Sequence, residues 1–507
     1  MKKSVLLNKS VSLLLVTVML ILLTACAASQ GDAAPNYGGA APNYGDSAGE
    51  TLPGESYTEI TENGFVATDE NNTSYFSIDA NTASYPNLRS LIKGGYSVDK
   101  DAVRVEEMLN YFSYDYTAPE GDDILALNAS IFDNPYNPET KLLTIGLAAE
   151  EVDFSGVKNN LVFLIDTSGS MFSEDKLPLV QQAFMMLTES LNPEDRVSVV
   201  TYAGSQTVAL DGAYGYEKAK IMAVIEDLEA RGSTAGAAGI QTAYELAEKH
   251  FIEGGNNRVI LATDGDFNVG VSSNAGLEEL ISEKRESGVY FSVFGVGRGN
   301  VQSSKMETLA LKGNGTYSYI DSVKEAKRAL VEGIGGSIVT VAKDVKAGIS
   351  FNPEYVEVFR LIGYENKLLT EEEFNDSTTD AGELGSGHTV TVVYEIKMKN
   401  DGVFIIESIE TIANVIIKYK PTENVGGDAT EEQELTLGVL NSAYNSTPTA
   451  ENLFVASVVE FALILRNSEY KADANLEELI TRLDGLDLSS DEFKSEFRDL
   501  VKLYSER

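Results

Sequence analysis

The sequence predicts an α/β fold: a central, mostly parallel sheet with helices on both faces, flanked by β-rich segments and closed by a C-terminal helical region. Three observations predict it. Apolar runs LVFLI (161–165), VSVVTY (197–202), VILAT (259–263) and YFSVFGV (290–296) alternate with helical patterns. Continuous apolar strands separated by amphipathic helices describe a parallel sheet covered on both sides. Strand patterns both precede and follow this block, which places it as an insertion in a β domain, and residues 449–507 end helically.

Taken in order, residues 1–25 read as a signal peptide: a basic MKK start, then the short apolar stretch VSLLLVTVMLILL (11–23). Leu23-Thr24-Ala25-Cys26 resembles a bacterial lipobox. That resemblance implies a diacylated Cys26 as mature N-terminus, and a protein held to the cell membrane by a lipid anchor on its extracytoplasmic face. Each buried CH₂ of such an anchor contributes about 0.8 kcal/mol. The alternative is an uncleaved signal anchor. Residues 26–60, with the duplicated AAPNYG unit, read as a Gly/Pro-rich tether.

Residues 61–155 read as an α+β flanking segment. Val103, Met108, Leu109 and Phe112 fall at helical spacing, and ILALNASIF (124–132) and KLLTIGLA (141–148) form two strands around an NPYNP turn. The Thr/Asn/Asp-rich stretch 66–82 reads as a solvated loop, with calcium binding as the alternative. Residues 156–337 carry the α/β block, with helices marked by Leu177, Val180, Phe184, Leu187 and Leu191 and by Ile240, Tyr244, Ala247 and Phe251. TYAGSQTVAL (201–210) reads as a hairpin, which makes one edge strand antiparallel.

Residues 338–445 are β-rich, with VEVFRLIGY (356–364), HTVTVVYEIKM (388–398), FIIESI (404–409) and VIIKYK (415–420). Residues 446–507 are helical. LFVASVVEFALIL (453–465) is too short to span a bilayer and carries Glu460, so it reads as a buried helix. The final helix shows a capping box, Ser489 with Glu492, and an apolar face of Phe493, Phe497, Leu500, Val501 and Tyr504.

Composition excludes several functions. A net charge of −39 over 507 residues opposes binding of nucleic acid or anionic lipid headgroups, which need basic faces. The single cysteine, Cys26, and the two histidines, His250 and His388, rule out Cys- or His-built metal sites. Any bound metal must take oxygen ligands, as Mg²⁺, Ca²⁺ and Mn²⁺ do.

In open α/β sheets, binding groups gather past the carboxyl ends of the strands. Asp166-Thr167-Ser168-Gly169-Ser170 follows LVFLI, Gly232-Ser233-Thr234 precedes a helix, and Thr263-Asp264-Gly265-Asp266 follows VILAT. Asp166, Ser168 and Ser170 can point inward from one tight turn, while Thr234 and Asp264 add a hydroxyl and a second carboxylate. Mg²⁺ takes six oxygens at about 2.0–2.1 Å, so these five leave one position for water or a partner's carboxylate. Two carboxylates neutralise the dication, and if either is held through water the ion seeks an anionic ligand.

DTSGS with Thr234 and Asp264 resembles the metal-ion-dependent adhesion site of von Willebrand factor type A domains. The resemblance implies a Rossmann-like domain over roughly 160–337, with Asp166, Ser168, Ser170, Thr234 and Asp264 holding Mg²⁺ or Mn²⁺. FSIDANTASYPNLRSLI and DAVRVEEMLNYF (76–112), KDVKAGISFNP (343–353), VFRLIGYEN (358–366) and DAGELGSGHTV (380–390) resemble bacterial lipoproteins of this type with an uncharacterised C-terminal domain. The implied function is divalent-metal-dependent adhesion to a protein partner that presents an acidic side chain, without enzymatic activity or nucleic-acid binding.

Other readings of the same residues are weaker. Asp166 alone fits a helix cap. An aspartic protease needs Asp-Thr-Gly, and an aspartyl phosphatase usually wants an aspartate where Ser168 stands. Ser-His-Asp catalysis needs a histidine, and His250 reads as a surface or packing residue near a helix end while His388, opening a strand, reads as structural. GVGRGN (295–300) lacks the lysine of a phosphate loop and reads as a loop near the rim; Asp266 and Asn268 are candidates to tune it. An envelope scaffold with a structural metal is the main alternative function, and a hydrolase the third.

Overall fold

A computed structural model describes residue 52 and residues 54–507, apart from 154–155, 233–235, 266–273, 333–338, 400–409, 423–424, 426 and 428–429. Cys26, Thr234, Asp266, Asn268 and the FIIESI stretch therefore lie outside the described residues.

The chain opens with β1 (Val66–Ala67) and β2 (Thr73–Ser77), helices α1 (Ser84–Gly94) and α2 (Val105–Asn110), and the hairpin β3 (Leu125–Asp133) and β4 (Lys141–Ala149). The stretch expected as a solvated loop is thus partly strand. β2 pairs with a strand far along the chain, a partner that local composition does not announce.

The α/β block holds β5 (Asn159–Asp166), α3 (Leu177–Ser190), β6 (Arg196–Tyr202), β7 (Gln206–Tyr214), α4 (Lys218–Glu226) and α5 (Gly236–Lys249). It continues with β8 (Asn256–Thr263), α6 (Asn274–Arg285), β9 (Val289–Val296), α7 (Ser303–Lys312) and β10 (Tyr317–Ile320). Spatial order is β10-β9-β8-β5-β6-β7, all parallel except the edge strand β7, which returns from β6 as the expected hairpin.

Side chains alternate across a strand. Leu161, Phe163 and Ile165 accordingly face one core with Leu177, Val180, Phe184 and Leu187 of α3, while Val162 and Leu164 face another with Ile240, Tyr244 and Ala247 of α5. Full burial of each large apolar side chain contributes about 1.5–3 kcal/mol. The Phe163 and Phe184 rings stack with centroids 4.3 Å apart. Phe251, expected on the α5 face, lies beyond that helix and is 39% exposed.

The chain then forms β11 (Thr340–Phe351), β12 (Val356–Ile362), β13 (Gly382–Gly385), β14 (Thr389–Met398), β15 (Thr411–Pro421), β16 (Gln433–Leu440) and β17 (Tyr444–Asn445). One sheet runs β1-β12-β14-β4-β3-β17; the other runs β13-β11-β15-β16 with β2 also on β11. Strands from before and after the α/β block therefore share both sheets. Ile145 of β4, Tyr394 of β14, Ile349 of β11 and Val415 of β15 meet in one apolar cluster between them.

The chain ends in α8 (Ala450–Arg466), α9 (Leu476–Asp484) and α10 (Glu492–Ser505), which share a core with α1 and α2. α8 is buried as expected; Glu460 pairs with Arg482 at 2.5 Å. No helix among the described residues is long and apolar enough to cross a membrane. The capping box on α10 is corrected: Asp491 is the cap, accepting from the Phe493 and Lys494 N–H groups, while Ser489 donates to Asp487. The helix begins only at Glu492, so the free N–H groups of its first turn lie within reach of Asp491 and beyond that of Ser489.

Candidate metal centre at the sheet rim

β5 lies at the middle of the sheet, with β6 on one side and β8 on the other, so the chain reverses its direction of travel across the sheet there. Crevices form at such switch points, beyond the carboxyl ends of the strands. Asp166 is the last residue of β5 and sits opposite Tyr202 on β6. Its side chain is fully buried.

A buried carboxylate needs donors. Asp166 Oδ1 accepts from the Ser168 backbone N–H at 2.8 Å, and Oδ2 accepts from the Tyr202 hydroxyl and the Thr263 hydroxyl, each at 3.2 Å. The first bond folds the DTSGS turn back on itself, which brings Ser168 Oγ within 3.0 Å of Ser170 Oγ. The loop leading to Thr234 docks on the same turn: Gly169 N–H donates to the Gly232 carbonyl at 3.1 Å, and Arg231 N–H to the Thr167 carbonyl at 2.7 Å.

Asp264, the residue after β8, is 1% exposed. It stands near enough to raise the pKa of Asp166, which burial above all pushes up to about 6, against the lowering effect of the Ser168 hydrogen bonds. Gly265 follows at φ +96°, where an added Cβ would lie 2.3 Å from the Asn300 carbonyl, so the GVGRGN loop does approach the rim.

Lys176 is the residue that sequence reasoning missed. Its Nζ lies 2.8 Å from Asp264 Oδ2, and the lysine is 7% exposed. It stands alone between the DTSGS turn and the apolar face of α3, so its only signal was one basic residue in an acidic stretch. Tyr202 and Thr263 were legible as strand residues, not as partners of Asp166.

The structure thus brings Asp166, Ser168, Ser170 and Asp264 to one rim, beside the loop that leads into Thr234. Among the described residues, two carboxylates stand against one ammonium, which leaves them one positive charge short, and Ser168 and Ser170 add hydroxyl oxygens. That set suits a hard divalent ion such as Mg²⁺ or Mn²⁺. Among the described residues no group of three or more His, Cys, Asp or Glu side chains is placed to hold a metal, so such a site depends on its hydroxyl oxygens.

The histidines lie elsewhere. His250 Nε2 is 2.6 Å from Asp211 Oδ1 beside β7, and His388 Nδ1 accepts from Gly385 N–H at 3.2 Å at the mouth of β14.

Comparison with known proteins places these features. The family described as von Willebrand factor type A domain matches residues 160–332, one described as von Willebrand factor matches 52–144, and one described as uncharacterized protein YfbK, C-terminal, matches 336–506. The uncharacterized protein YfbK of Escherichia coli (strain K12) is 38% identical over 432 residues, covering 82% of this chain and 74% of that protein. Inter-alpha-trypsin inhibitor heavy chain H3 of Homo sapiens is 26% identical over 266 residues, 48% of this chain and 29% of its own length. A solved structure described as von Willebrand factor type A from Catenulispora acidiphila aligns at 16% identity and a TM-score of 0.40, covering 69% of this chain and 80% of that one.

Proposed function

We propose, for a chain that belongs to the family of von Willebrand factor type A proteins with a YfbK-type C-terminal domain, that the rim captures an acidic side chain of a protein partner in a metal-dependent manner. Asp166, Ser168, Ser170, Thr234 and Asp264 hold Mg²⁺ or Mn²⁺ in this reading. The bound ion supplies an open coordination position for a carboxylate oxygen. The chain's own part is to fix the donors: Tyr202 and Thr263 hold Asp166, and the Ser168 N–H holds the turn.

The observation that carries this reading is the convergence of Asp166, Ser168, Ser170 and Asp264 at the strand switch. The lipobox-like segment ending in Cys26 supports attachment to the extracytoplasmic face of a membrane, where the tether gives the rim reach. Affinity capture from native membranes with the full chain tests it. A partner retained in Mg²⁺, released by EDTA and never held by Asp166→Ala is expected. A partner that survives both chelation and Asp166→Ala makes the protein a scaffold instead.

A further inference from the structure

Lys176 is buried against the proposed metal centre, and the fold makes room for it deliberately. Gly297, in the loop after β9, has φ +71°; a Cβ there would lie 2.3 Å from Lys176 Cγ and 2.5 Å from Cε. The Gly297 carbonyl is held in turn by the Tyr319 hydroxyl at 2.8 Å. The lysine stem therefore runs through a fixed slot, and its ammonium ends on Asp264 Oδ2 at 2.8 Å. A flexible surface lysine samples many rotamers; this one is held along its length.

We infer that Lys176 is a built-in cation of the metal centre, which weakens metal uptake and raises the preference of the loaded site for anionic ligands. The inference rests on the metal reading above and deepens it. With Asp166 and Asp264 alone, a divalent ion is neutralised and has little demand for a charged ligand. With the Lys176 ammonium fixed on Asp264, the loaded centre keeps one positive charge. Inside a protein, unit charges a few ångströms apart interact far more strongly than in water, so one ammonium shifts both equilibria measurably. The two effects run in opposite directions, which a loss of packing does not produce. Lys176 is a positioning and charge-setting residue, not a ligand.

The test uses the full chain and its Lys176→Met, Lys176→Gln and Lys176→Arg variants. Mn²⁺ affinity is measured by calorimetry, and acetate binding by the relaxation of its methyl protons beside bound Mn²⁺. Both neutral variants are expected to bind Mn²⁺ about tenfold more tightly and acetate about tenfold more weakly than the parent. Lys176→Arg is expected to stay close to the parent in both. Unchanged or weaker Mn²⁺ binding in whichever neutral variant folds overturns the inference. Equal tightening in Lys176→Arg overturns it too, since the effect is then steric. Absence of Mn²⁺ uptake by the parent chain is a separate failure and sinks the metal reading itself.

Discussion

Asp166 occupies a position that a carboxylate tolerates only with help. Three donors within 3.2 Å offset part of the cost of its burial, and the nearby Asp264 charge adds to that cost. Residues of this kind carry the electrostatics of the molecule, and His388 is another. Burial, reinforced by Arg328, pushes its pKa down from 6.5 to about 4. A base with a depressed folded value contributes stability that is full above its unfolded value and is lost as pH falls toward the folded one. Between pH 6.5 and pH 5 the loss is up to about 2 kcal/mol. Thermal melts should therefore show the parent losing stability over that range relative to His388→Gln. Parallel curves would contradict the assignment.

Among the elements, α3 and α10 give the sharpest tests. Phe184 stacks on Phe163 at the centre of one core, so Phe184→Ala should cost about 3–5 kcal/mol in urea unfolding. On α10, Asp491→Ala should cost about 1 kcal/mol, since it removes a cap from two backbone donors, whereas Ser489→Ala should stay within about 0.5 kcal/mol. The reverse order in melting temperature would restore the capping box that the sequence suggests.

These elements also mark how far the sequence can be read. The run LVFLI announced a two-face-buried strand because both of its faces are apolar, and the edge hairpin followed from its turn residues. The DTSGS motif was legible because its donors are local. Lys176 was not, because its meaning lies in a pairing with Asp264 across the fold. β2 was hidden for the same reason: Thr73–Ser77 becomes a strand only through pairing with β11, which begins at Thr340. Ser489 misled because two caps competed within three residues.

At the scale of the whole molecule, the α/β block is joined to its surroundings by a buried charge network. Arg89 on α1 bonds Asp321 and Glu325 in the block and Glu496 on α10, with the Tyr111 hydroxyl completing its shell. Removing the cation takes from the buried Asp321 its guanidinium partner, while Glu325 keeps Arg328 and Glu496 keeps Lys93, so Arg89→Met should cost about 3–5 kcal/mol. It should also raise hydrogen exchange across 492–505. Unaltered exchange there would mean that the apolar cluster shared by α1, α2 and α10 suffices to hold the helices.

The account as a whole depends on a divalent ion at the rim between β5 and β8. Anomalous diffraction from crystals of the protein grown with Mn²⁺ tests that most directly. The predicted result is one strong peak bounded by Asp166, Ser168, Ser170, Thr234 and Asp264, absent from Asp166→Ala crystals. A rim without a peak, or a peak that persists in Asp166→Ala, would contradict the account.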